Sequence, residues 1–454
     1  MPRLTPTRKT IANIITKQLG LEPGENLIIV FEEETGAVAT LLDEVARDLA
    51  IRTLMIFAPR QMQAATRMGD GLPTTVTAAI QQANAMITCV NDSSECMLYR
   101  SLLLDTQNPD IAIGHTPGIS VSMVSECFPQ SHAAIEKKCD FLALPLAMSK
   151  KICITTREKD GTAHELYADI NAWERLPIIS NGYIPEGSWG NLLPGEVYIA
   201  PEQDTAKGSI VINASVPGRI LEEDLILYFS RGRIKDIRTS SENTLDYFQA
   251  TTQKVAEKNR DHNWDILAEI GIGVNENIKE VTGKPIIDEK IYGTVHIAIG
   301  ENTGMGGTNE SSIHYDMTTY SPDISVDDRP LMQQGKIVGD PSSWKEGFAD
   351  IEADQRLRQA AVMVRVARGY SATSDGKLKK ICVNGAQRRM EFVLGDDNLS
   401  ALSLRILDEL AKNEVDRVEI KKLAGRLGTD ENKVRKALSF LLKHQLLDIP
   451  ENGE

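Results

Sequence analysis

The chain has 454 residues, 41% of them hydrophobic, with 50 basic against 64 acidic side chains and a formal net charge of −14. That length buries a sizeable core and fits two or three domains, while the acidic balance excludes a surface made to coat nucleic acid. The six cysteines form no C-x-x-C pair; with no secretory signal and no apolar run near the roughly 18 residues of a membrane span, the sequence reads as a reduced, cytoplasmic, non-membrane protein.

Residues 8–19 read as an amphipathic helix, and Pro23-Gly24 introduces the apolar run 26–31. A helix over 37–49 follows, and apolar runs at 53–59, 85–90, 110–114 and 140–145 then alternate with helical stretches such as 76–83. Short apolar strands alternating with helices predict a parallel α/β domain over 1–150. The loop after the first strand, Glu32-Glu33-Glu34-Thr35-Gly36, carries neither G-x-G-x-x-G nor a Walker lysine. Its three carboxylates would repel phosphate, so dinucleotide binding is rejected.

From about 150 the texture changes to closely spaced strands broken by Gly, Pro and Asn: ICITT, HELYADI, GEVYIAP, GSIVINASV and DLILYFSRGRI. This predicts a strand-rich domain over 151–340. Glu196 opens one strand just after Pro194-Gly195, and Glu269 lies on another whose shared face is otherwise Gly271 and Gly273. A carboxylate in such surroundings is costly to bury unless a cation compensates it. His296 alternates with Ala298 and Gly300, which leaves room for an ion or a substrate. His314 and Asp316 stand two apart on a strand, so an imidazole and a carboxylate lie side by side. Each residue also has a plain structural reading: a hydrogen-bonded histidine, a salt-bridged glutamate, or, for Glu301, a solvated loop acid. Taken together, the donors point to a metal.

Residues 341–397 read as a connecting segment of a helix and a hairpin, the latter KKICV and RRMEFVL around Asn384-Gly385. Three helical patterns follow within 398–454, at 399–413, 418–428 and 431–447, the arrangement of a winged-helix-like helix-turn-helix domain. Its basic and acidic residues nearly balance, which favours dimerisation or partner docking over DNA binding. The fold class expected is an α/β N-terminal domain, a strand-rich α+β metal-binding domain and a small all-α helix-turn-helix domain.

The order NLLPGEVYIAP, AEIGIG, GTVHIAIG, SSIHYDM resembles the M29 family of metallo-aminopeptidases, the aminopeptidase T and aminopeptidase S group. The resemblance implies that Glu196, Glu269, His296, His314 and Asp316 bind two divalent ions (zinc, cobalt or manganese). It also implies that the ions activate a water against a short-peptide or other small substrate, and that the enzyme is a homodimer. Glu301, in the loop after the His296 strand, would be a general base. The characterised aminopeptidases carry a tyrosine seven residues after the histidine that matches His296, where this chain has Thr303. Peptide hydrolysis would then need another donor from the loop 301–312.

The same motifs also resemble the dihydroxypyridine ring-cleaving dioxygenases, which use one iron(II) and a two-histidine, one-carboxylate ligand set, the composition of His296, His314 and Asp316. Those enzymes place a histidine where this chain has Glu269, and this favours a metal-dependent peptide or amide hydrolase as the expected function. A metal-binding regulator without turnover, acting through the C-terminal domain, is a third reading.

Overall fold

The structure is a computed structural model that describes residues 5–339 apart from 67–70, 91–95, 105–107, 109, 130, 171–176 and 185, and beyond 360 the strands, helices and turns named below. The apolar runs near the N-terminus form parallel strands β1 (Asn26–Phe31), β2 (Arg52–Phe57), β3 (Ala85–Thr88) and β4 (Ala112–His115). Leu27 and Ile29 face one buried cluster, which includes Ile11 and Leu42 of the helices Pro6–Asn13 and Gly36–Asp48. Ile28, Val30 and Met86 face another. With both faces covered, near-continuous apolar runs are what such strands require.

The run 140–145, expected as a strand, lies inside the helix Ala133–Met148, which contains Pro145. Leu142, Ala143, Leu144 and Leu146 are all buried there. A short run that is apolar on every side reads the same in a buried helix and in a buried strand, so periodicity has no purchase on it.

Residues 151–339 are dominated by two antiparallel sheets. Their strands, together with one that joins the N-terminal sheet, are β5 (Lys151–Arg157), β6 (Ala163–Asp169), β7 (Ile178–Ser180), β8 (Trp189–Asn191), β9 (Glu196–Ile199), β10 (Lys207–Ile212), β11 (Ser215–Val216) and β12 (Arg219–Ile220), then β13 (Leu225–Ser230), β14 (Arg233–Arg238), β15 (Leu267–Gly273), β16 (Thr294–Gly300), β17 (His314–Tyr320), β18 (Asp323–Val326), β19 (Arg329–Gln333) and β20 (Lys336–Ile337). The sheets run β14-β13-β10-β6-β5-β18-β19-β20 and β12-β11-β17-β16-β15-β9-β7, while β8 completes the parallel sheet β2-β1-β3-β4-β8 from across the boundary expected at 150. One buried cluster joins the two antiparallel sheets, through Ile154, Leu166 and Ile210 on one side and Ile270, Ile297 and Met317 on the other. The helix Glu242–Thr251 closes part of it: the Ser241 hydroxyl accepts from the Thr244 N–H at 3.2 Å, and Phe248 meets Tyr315 edge-on at 5.7 Å between ring centroids.

Beyond 360 the strands Leu378–Val383 and Arg389–Val393 pair antiparallel; the expected Asn384-Gly385 turn and the segment 340–360 lie outside the described residues. Helices Asp397–Asn413, Ile420–Leu427 and Glu431–Lys443 enclose a core of their own around Leu407, Leu423 and Leu438. Several basic groups there pair with acids of the same region: Lys422 with Glu419, Arg426 with Glu409, Lys433 with Asp430, Arg435 with Glu431. No helix among the described residues is long and apolar enough to cross a membrane.

Phe248 is 1% exposed. Phe248→Ala is expected to cost about 3–5 kcal/mol of stability in urea unfolding, and a loss below about 1 kcal/mol would show that this helix is not integral to the core.

Candidate metal centre

The pleat of four adjacent strands assembles the site. On one face of the seven-stranded sheet β9 presents Glu196 and Tyr198, β15 presents Glu269, Gly271 and Gly273, β16 presents His296, Ala298 and Gly300, and β17 presents His314 and Asp316. The register sets Gly273 beside Glu196, Gly271 between Tyr198 and His296, Ala298 between Glu269 and Asp316, and Gly300 beside His314. Each donor thus has a glycine or alanine across the ladder. At Gly271 this is a strict requirement, because a methyl there would overlap the His296 ring. Gly195 takes φ +138° and turns the chain into β9 immediately before Glu196.

The glutamate of β15 sits between the two histidines. His296 Nε2 lies 3.1 Å from Glu269 Oε1, and His314 Nε2 lies 3.2 Å from Glu269 Oε2 and 3.1 Å from Asp316 Oδ1. The backbone carbonyl of Glu301 accepts from His314 Nδ1 at 2.7 Å, which directs Nε2 inward. Glu269, His314 and Asp316 have ligating atoms within 4.8 Å of one another, as do Glu196, Glu289 and His296 in a second group deeper in the sheet. His296 Nε2 is 3.8 Å from Glu196 Oε2, so it borders both groups.

Two residues of the inner group escaped the sequence reading. Glu289 and Lys290 follow the short helix Pro285–Asp288, and Lys290 Nζ donates to Glu196 Oε1 at 2.7 Å and Glu289 Oε1 at 2.5 Å. Asp288 holds this segment down, accepting from the Ser215 hydroxyl and from the Thr282 and Gly283 N–H groups. Side-chain exposure is 0% at Lys290 and His296, 7% at Glu269, 12% at Glu289, 14% at Asp316 and 29% at His314. The site is sealed at Lys290 and opens at His314.

Burial alone would push the Glu269 carboxyl up, but hydrogen bonds from His296 and His314, with their charge, hold it down at about 2. Burial likewise works against a charged His296, yet the hydrogen bond and charge of Glu269 raise it to about 9. His314 is raised well above its ordinary value by Asp316 and Glu269, again against its burial. Burial, then the charge of Glu196, push Glu289 up to about 8. Burial and the surrounding carboxylates also keep the proton on the Tyr198 phenol. The surrounding carboxylates thus favour the charged form of both imidazoles, and a metal ion bound there would take the place of those protons. At the open side, the His314 imidazole and the Glu269 and Asp316 carboxylates lie within reach of one ion, a nitrogen and oxygen donor set suited to iron(II).

The loop 301–312 is tied to itself. Glu301 accepts from the Thr303 hydroxyl, from the Thr303 N–H at 2.7 Å and from the Ser311 N–H at 2.9 Å. Tyr315 packs in the core on the opposite face of β17, and the Tyr320 hydroxyl accepts from the Val281 N–H.

Gly271→Ala is expected to displace the His296 ring and abolish metal retention while the chain still folds; a variant that keeps its full metal content by elemental analysis would show that His296 is not held where the site needs it.

The profile of the 2,5-dihydroxypyridine 5,6-dioxygenase family, NicX, matches residues 11–339. The fold is similar to that of 2,5-dihydroxypyridine dioxygenase from Pseudomonas putida KT2440, with a TM-score of 0.58, 15% identity, and 74% of this chain and 99% of that one covered. It is also similar to AmpT from Thermus thermophilus, with a TM-score of 0.53, 18% identity and the same coverage, 74% and 99%. No curated protein sequence matches the chain. The family match overturns the expected metallo-aminopeptidase and its peptide-bond hydrolysis. The expectation leans on Glu269 as the mark of a hydrolase, and in the structure that carboxylate spans the two histidines. The chain belongs to the 2,5-dihydroxypyridine 5,6-dioxygenase family.

Proposed function

We propose that this chain opens the ring of a dihydroxypyridine with dioxygen, using one iron(II) held by Glu269, His314 and Asp316, with His296 against the other oxygen of Glu269. The family membership supports the reaction class. The observation that carries the ligand assignment is the convergence of both Nε2 atoms on the one Glu269 carboxylate, with Asp316 beside His314 at the open end. Iron(II), when bound, supplies the open coordination positions and redox chemistry that let dioxygen react with an electron-rich ring.

The chain's own residues do the rest. The Glu301 carbonyl fixes the orientation of His314. The buried end at Lys290 excludes water, so a flat, small substrate enters from the side of His314. Tyr198, on the same face and still carrying its proton, offers a neutral O–H donor to a ring oxygen or nitrogen.

After anaerobic loading with iron(II), 2,5-dihydroxypyridine is expected to drive dioxygen uptake in equal amount with loss of the ring's near-ultraviolet absorbance; loaded protein that consumes no dioxygen with this substrate sinks the reading. His314→Ala and Asp316→Ala are each expected to lower iron content from one ion per chain to near none, and a full iron complement in both would place the metal elsewhere.

A further inference from the structure

The reading of a single iron centre leaves a second set of donors unexplained, and the inference here rests on that reading. Glu196 and Glu289, with His296 at their edge, lie within 4.8 Å of one another, the spacing of a second metal pocket directly behind the first. Paired metal ions about 3.5–4 Å apart are a common catalytic device, and shared carboxylates and a shared histidine are how such pairs are held. In this chain the inner pocket contains an ammonium. Lys290 Nζ sits between the two carboxylates, with no exposure to solvent.

We infer that Lys290 is a built-in cation that occupies the second metal position and so restricts the site to one ion. The charge balance supports it. Four carboxylates, Glu196, Glu269, Glu289 and Asp316, stand against one ammonium. With all four carboxyls ionised, one divalent ion in the outer group leaves the site one charge negative and a second leaves it one charge positive, and that second ion would have to share oxygens with the ammonium at contact distance. Remove the ammonium and the four carboxylates match two divalent ions. Access points the same way: the outer group reaches solvent through His314 at 29%, and the inner one is more enclosed, with Lys290 and His296 at 0%, Glu196 at 3% and Glu289 at 12%. Lys290 is also held from outside the site. Ile287 and Ile291, on either side of it, are packed into the core of the N-terminal domain, and Asn275 N–H donates to the Lys290 carbonyl at 2.8 Å. A lysine placed this firmly acts as a fixed part of the sheet's electrostatics, and a buried pair of carboxylates would not tolerate its loss without another cation.

The test is metal stoichiometry with manganese(II) as the probe, by elemental analysis and electron paramagnetic resonance, on the wild-type chain, Lys290→Ala and the volume-conserving Lys290→Met. The wild type is expected to bind one ion per chain with the hyperfine pattern of an isolated manganese. The variants are expected to bind two, with the broadened spectrum of a coupled pair, and to gain more thermal stability from manganese than the wild type does. Adding Glu196→Gln to Lys290→Met is expected to return the count to one. Two ions in the wild type, or one ion in folded Lys290 variants at saturating manganese, would overturn the inference. Variants that stay unfolded with manganese present would overturn it too, because the added ion is meant to take the ammonium's place. Dioxygen uptake reports separately: a wild type that binds one manganese but, loaded with iron, consumes no dioxygen would refute the ring-opening reading and leave the role of Lys290 standing.

Discussion

Burying carboxylates on one face of a β-sheet is the constraint around which this structure is built. Glu196 and Glu269 are 2% and 5% exposed, and a charge taken out of water at that depth is tolerated only when cations and hydrogen-bond donors meet it at contact distance. The sequence meets that demand with three groups, Lys290 at the inner end and the imidazoles of His296 and His314 toward the outer end. The glycines and alanine of β15 and β16 follow from the same demand. Side chains in those positions would hold the partners apart, and the strands can do without them because the opposite face supplies the packing through Ile270, Ile297 and Met317.

The N-terminal α/β domain takes part in this arrangement although it contributes none of the proposed ligands. Its core extends through Leu192 and Leu193, just ahead of Glu196, and through Ile278, Ile287 and Ile291, which bracket Glu289 and Lys290. β8 ties the same stretch to the parallel sheet, with the Leu192 N–H donating to the His115 carbonyl at 3.0 Å. Two segments that carry the inner end of the site are thereby anchored in a separate hydrophobic core, while the outer end rests on β16, β17 and the self-tied loop 301–312. The inner end is thereby the more enclosed and the outer end the more exposed, an asymmetry that fits the proposed reaction, in which the reactants would approach from one side.

A large part of this was legible in the chain alone. The pleat of period two made Glu269, Gly271 and Gly273, or His296, Ala298 and Gly300, readable as one face of a strand, and the register sets those same residues across from one another. Short apolar runs between helical stretches announced the parallel sheet, except at 140–145, where a helix buried on all sides carries no periodic signal. The choice between hydrolase and dioxygenase was not legible from the ligands, because both chemistries draw on the same residue types. Thr303 in place of the tyrosine was the sign that spoke against the peptidase.

What the sequence by itself determined is therefore local: the strand faces, the donors they carry and the space left between them, all consequences of alternation along an extended chain. What only the tertiary structure decided is the distribution of charge. Glu289 and Lys290 read in sequence as ordinary charged residues ahead of a strand, seven and six positions before His296. Folding puts the ammonium at 2.7 Å from a carboxylate 94 residues away in the chain. Electrostatic pairing across such a distance depends on which strands become neighbours and on what seals them from water, and neither is written in the spacing of residues along one segment.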